Sequence, residues 1–170
     1  MAARKNQQSN AYIKLVDFFK DAYDRGIINS YKVPKIDKKS CGRFKVYKPI
    51  IDDITFDSGM EAKFYVHLLE EVCAGIVDNF SMQQTFQLQP SFKLGEKRVA
   101  GIKYIADFVV NYKDGTVVVI DVKGRETPDF KIKKKLFEYK FRMPLYCIQC
   151  YKDKWLRLDE IKKLKRKKEN

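Results

Sequence analysis

The sequence predicts an α/β domain in which a mixed central β-sheet is flanked by helices. Three observations carry this. Segments of helical and strand period follow one another as helix, strands, helix, strand, helix; a clear hairpin, 102–112 with 117–123, occupies the middle of the chain; and 170 residues at 45% hydrophobic suffice for one sizeable core plus appendages.

In AYIKLVDFFKDAYDR, residues 11–25, the residues Tyr12, Leu15, Val16, Phe19 and Tyr23 share one helical face, with Asn10 as expected N-cap and Gly26 as stop. Val33 to Pro49 mixes Pro, Lys, Asp and Gly and reads as an irregular basic connector, which sets an expected domain edge near residue 50. A second helix starts at Ser58 with Met60, Phe64, Leu68 and Val72 or Leu69 about one turn apart, and ends by Gly75. Ser58 and Glu61 have capping-box spacing.

FSMQQTFQLQPSFKL alternates at Phe86 and Leu88 and closes in the turn-like GEKR, so a strand is expected. In TPDFKIKKKLFEYKF, Thr127 is the expected N-cap and Pro128 the first helical residue. MPLYCIQCY and KWLRL read as final strands, and DEIKKLKRKKEN, with Asp159 as expected cap, becomes a run of positive charge. No internal repeat is evident. The expected organisation is an N-terminal helix and connector over 1–50, a core over 51–158 and a basic tail over 159–170.

Lys and Arg number 35 against 22 Asp and Glu, a formal charge of +13. Such a charge resists compaction unless a polyanion is the working partner, and nucleic acid is the commonest one. A basic membrane-surface protein would need a free amphipathic face or a lipidation site, and the sequence shows no such site. No apolar run approaches a membrane span and MAARKNQQSN lacks the apolar segment of a secretory signal, so an intracellular, cytoplasmic protein is expected. Of the four cysteines, Cys147 and Cys150 have zinc-ligand spacing. Cys41 and Cys73 do not complete a set, because they are far apart, Cys73 lies in a helical pattern and YCIQCY reads as a strand; free thiols of a reducing cell are expected.

VVVIDVKGRETPDF places Asp121 and Lys123 at the end of an apolar strand. The acid-x-Lys spacing alone means little, since it recurs at Asp37/Lys39, Glu61/Lys63, Asp129/Lys131, Glu138/Lys140 and Glu160/Lys162. Hairpin register supplies the missing context. A two-residue Asp114-Gly115 turn would set Asp107 opposite Val122 and send Asp121 to the other face, whereas a three-residue Lys113-Asp114-Gly115 loop sets Asp107 opposite Asp121. The second register collects Tyr104, Ala106, Phe108, Val110, Val118, Ile120 and Val122 on one apolar face, leaving Asp107, Asn111, Asp121 and Lys123 on the other, among Ile105, Val109, Val117 and Val119.

Opposed carboxylates repel and call for a cation. Oxygen ligands favour magnesium, with manganese able to substitute, and such an ion activates a water beside a phosphate. Lys123 would orient that water or stabilise developing charge. The competing reading is a strand-end ion pair of Asp121 and Lys123 with Asp107 solvated.

The blocks FDSGMEAKF, KYIADFVV and VVVIDVKG, in this order over residues 54–148, resemble the PD-(D/E)xK nuclease superfamily, and among its members those encoded by phages, including an uncharacterised family and the endonuclease that resolves branched DNA. The resemblance implies a restriction-endonuclease-like fold, with Glu61 as the helix acid, Asp107 and Asp121 as the hairpin acids (all three metal ligands) and Lys123 as the catalytic lysine. Ala106 stands where the family usually has proline. Gln89, ahead of the hairpin, receives no role. Glu61 has a second explanation in the capping box.

Lys135 and Tyr139 are one turn apart where similar nucleases carry Gln and Tyr near the substrate; a solvated basic face from Lys131 through Lys134 to Lys135 explains them equally. His67 reads as a helix-surface residue rather than a base. The run Lys165, Arg166, Lys167 and Lys168 is a solvated tail able to add phosphate contacts. The expectation is a magnesium-dependent DNA endonuclease acting on branched or junction DNA, as a homodimer if it makes paired cuts. The alternatives are a nuclease of ordinary duplex and a noncatalytic nucleic-acid-binding module.

Overall fold

The computed structural model describes residues 2–34 and 48–169; Cys41 and most of the expected basic connector lie outside them. The chain divides into two compact units at Cys73/Ala74, rather than near residue 50.

The first unit opens with α1 (Ala2–Asp24), which buries Leu15, Phe19 and Ala22. Asn10 is inside this helix and is not its N-cap, because nothing in ARKNQQSN interrupts helical backbone. The helix stops at Gly26, whose positive φ of 70° lets Ile27 N–H turn back to the Ala22 carbonyl. Three two-residue strands follow as one antiparallel sheet: β1 (Tyr31–Lys32), β2 (Ile50–Ile51) and β3 (Ile54–Thr55). They are too short to leave a periodic signal. Asp52 and Asp53, both left-handed, form the turn between β2 and β3, and the Asp52 carboxylate accepts the Asn29 and Ser30 N–H groups. Helix α2 (Gly59–Cys73) is capped at Ser58, whose Oγ accepts the Glu61 N–H and donates to the Glu61 carboxylate.

The second unit is a five-stranded mixed sheet in the order β10-β9-β8-β7-β4. Strands β4 (Val77–Gln89), β7 (Ile102–Tyr112) and β8 (Val117–Val122) are antiparallel neighbours, and a small hairpin of β5 (Phe92–Leu94) and β6 (Lys97–Val99) links β4 to β7. Helix α3 (Pro128–Phe141) carries the chain from β8 to the parallel strand β9 (Leu145–Tyr151). Strand β10 (Lys154–Arg157) and α4 (Leu158–Glu169) complete the unit, with α4 against β9 and β10. The mixed sheet with flanking helices is the predicted class. Among the described residues, no helix is long and apolar enough to cross a membrane.

Thr127 Oγ1 accepts the Phe130 N–H at 3.2 Å, with Pro128 next to it, so α3 begins where its sequence predicts. Asp159 instead lies in the first turn of α4; the carboxylate that reaches the chain entering this helix is that of Glu160, which accepts the Arg157 N–H. One face of the sheet packs on α3 and α4 through Phe130, Phe137, Leu158 and Ile161. Phe86, Phe137 and Phe141 meet ring to ring there, 4.9–5.3 Å between centroids.

The β7–β8 loop has three residues. Tyr112 N–H bonds to the Thr116 carbonyl, and Gly115 takes a left-handed φ of 84°. The ladder pairs Phe108 with Ile120 and Asn111 with Val117, the register of a three-residue loop, and ends there, one step before Asp107 and Asp121. The faces differ from the expected ones in one respect. Tyr104 and Ala106 do not share the face of Phe108; they join Val109 and Val119 in the core under α3. At the same level β4 has a left-handed residue, Gln83 (φ 52°), the β4–β7 ladder omits the pair opposite Asp107, and even-numbered side chains of both strands change sides across this irregularity. Phe80 meets Phe108 on one face, while Phe86 and Leu88 belong to the core on the other.

Candidate active site

Strand β8 ends with Asp121, buried to 4% exposure, the one buried charged residue among those described. Burying a carboxylate is unfavourable unless its oxygens are satisfied. Oδ1 accepts a hydrogen bond from the Tyr104 hydroxyl. Oδ2 is fully buried and lacks a hydrogen-bond donor, although Lys123 Nζ lies 2.5 Å away in an ion pair. The ammonium supplies the countercharge that this buried oxygen needs. Lys123 Nζ also sits 3.6 Å from the centroid of the Phe130 ring, whose face favours a cation.

Asp107 lies at the twist in β7. There its Oδ2 accepts the Val122 N–H at 2.8 Å, taking the place of a backbone partner just past the last ladder pair. Burial raises the Tyr104 hydroxyl far above the ordinary tyrosine value, and the nearby charge of Asp107 raises it further, so Tyr104 remains a donor. Cys147 is opposite Asp121 on β9, and burial pushes its thiol up to about 11, against the lowering effect of Lys134 and Lys123. These groups form one cluster of Asp107, Asp121, Lys123, Tyr104 and Cys147. Tyr104 carried no sequence signal as a site residue, because strict alternation assigns it to the opposite face.

Glu61 belongs to the first unit, where it occupies the first turn of α2 and bonds to Ser58. His67 is half-buried on α2, 3.5 Å from Glu71. On α3, Lys131, Lys135 and Tyr139 are exposed, Tyr139 at 70%, with the Arg142 guanidinium 4.7 Å from its ring centroid. Lys134 is instead tied down, donating to the Leu145 carbonyl at 2.5 Å. Lys165, Arg166 and Lys167 are exposed on α4, and Lys168 continues that helix. Cys147 and Cys150 lie on one strand at positions that alternate to opposite faces, which does not suit a shared zinc ion.

Among the described residues, no group of three or more His, Cys, Asp or Glu is placed to hold a metal ion. The two hairpin acids offer oxygen donors, the kind magnesium takes from one or two protein carboxylates; in this structure Asp121 Oδ2 is paired with Lys123 and Asp107 Oδ2 with the Val122 N–H.

A family model described as "Protein of unknown function (DUF1064)" matches residues 41–155, more than half of the chain. Neither the curated proteins nor the solved structures contain a match to the chain.

Proposed function

Because the chain belongs to the DUF1064 family, whose description leaves function open, its activity is read from its own site, and we propose that it is a metal-dependent DNA endonuclease. The observation that carries this reading is the buried Asp121 carboxylate, with Lys123 paired to it and the Asp107 carboxylate bonded to the N–H of the adjacent Val122. The net charge of +13 supports a polyanionic substrate.

In this reading Asp107 and Asp121 hold magnesium or manganese. When bound, the cation lowers the pKa of its water and offsets phosphate charge. Tyr104 and the Val122 N–H fix the two carboxylates in place, so little reorganisation is needed on binding. Lys123 contributes positive charge where the phosphodiester reacts, with the Phe130 ring holding its ammonium. Branched DNA is the preferred substrate by resemblance.

The test is nicking of supercoiled plasmid with magnesium and with EDTA, alongside cleavage of a four-way junction and of linear duplex. Magnesium-dependent nicking is expected, faster on the junction. Equal rates on junction and duplex would remove the branched preference. Metal-independent binding with no cutting of any DNA would favour the rival reading, a noncatalytic module, to which the Asp121–Lys123 ion pair is also suited.

A further inference from the structure

Directly after Lys123 the chain enters a cleft of about 350 Å³, bounded by the β8–α3 loop, α3, β9 and α4. Its rim carries Arg125, Lys131, Lys162 and Lys165. Glu126 neutralises Lys162 at 3.1 Å and so ties α4 to the loop. Among the described residues, no ion pair engages Arg125, Lys131 or Lys165. Three cations around one cleft repel each other unless an anion joins them.

The rest of the lining narrows the anion. Leu158 and Ile161 supply apolar side chains, Gln149 adds an amide, and Gly124 has open space around its α-carbon, so a ligand can approach the backbone closely. Leu158 and Ile161 belong to the core and form the floor of the cleft, so its open part is the cationic rim, and several cations spaced around one cleft suit the repeated phosphates of a backbone.

We propose that this cleft is a phosphate-binding site that grips the DNA backbone beside the point of cleavage, with Arg125, Lys131 and Lys165 as its phosphate contacts. The proposal rests on the DNA reading above for its choice of polymer, and it is tested without chemistry. Binding of the full chain to fluorescent duplex and junction DNA is measured in EDTA over a salt series, for the wild type, for Arg125→Gln/Lys165→Gln, and for Lys97→Gln/Lys103→Gln, which removes the same charge from exposed strand positions elsewhere.

The cleft pair is expected to weaken binding by about tenfold and to lower the salt slope by about two, with the control pair within about twofold of wild type. Equal losses in both pairs would overturn the proposal, reducing the cleft to general surface charge. So would displacement of the DNA by polyglutamate as effectively as by unlabelled DNA. All four residues are exposed, and thermal melts confirm folding; Lys131→Gln alone supplies an independent variant, expected to lose binding in the same direction. A wild type that binds through the cleft but never nicks would sink the nuclease reading and leave the cleft standing.

Discussion

Tyr104 donates its hydroxyl proton to the buried carboxylate of Asp121 across the β7–β8 hairpin, from the face that strict strand alternation denies it. The same side chain packs by its ring against Phe130 and Phe137 of α3. One residue thus links the core to the candidate site.

Tyr104→Phe keeps that ring and removes the donor. Asp121 Oδ1 loses its partner in a buried setting, so stability should fall by about 1–3 kcal/mol. If Tyr104 positions a metal ligand, the magnesium concentration for half-maximal nicking should also rise by roughly tenfold or more. A magnesium titration beside thermal melts checks both. An unchanged magnesium requirement would leave Tyr104 a purely structural role.

Asp121→Asn should abolish nicking, because it removes charge from the proposed cation site. Metal-free DNA affinity should hold or rise as repulsion of the phosphates falls. Lys123→Ala should also abolish nicking but weaken metal-free binding slightly. It should destabilise the fold more, by about 3–5 kcal/mol, since it leaves a buried carboxylate without its counter-ion. Near-normal nicking by either variant would take the nuclease role away from these residues.

Cys147 gives a pH signature. Its thiol is raised from 9.0 to about 11 by burial, so the unfolded chain releases this proton first as pH rises. Its contribution to stability should be complete below about pH 9 and lost between pH 9 and 11. Urea midpoints of wild type and Cys147→Ala over this range should converge on a flatter alkaline arm for the variant. At pH 8, iodoacetamide should label the exposed Cys73 and spare Cys147, as read by peptide mass.

DNA affinity should fall steeply with salt, through release of counterions, and removing the chain from Lys165 onward should flatten that dependence. Cutting at low salt should survive the truncation, because the hairpin acids are outside it. Salt-insensitive binding would show that phosphate contacts are not its main source.

Much of this was legible in the sequence because it depends on local chemistry. Thr127 and Pro128 announce the start of α3, Ser58 and Glu61 that of α2, and Lys113-Asp114-Gly115 selects a three-residue loop and its register. Each is a decision taken within a few residues; the ladder follows that register as far as Phe108 and Ile120, short of the two acids. The short strands β1 to β3 escaped because two residues have no period to read, and the continuation of α1 past Asn10 escaped because an Asn, though a poor helix former, costs too little to end a helix by itself. The tertiary structure alone decided which side Tyr104 takes. The side changes at an irregularity shared with another strand, where Gln83 is left-handed, and a pairing between distant segments leaves no mark on the local sequence of β7. It also decided that Arg125, Lys131 and Lys165 border one cleft. Spacing along a chain cannot bring a loop and two helices together, because only packing on a shared sheet fixes the distances between them.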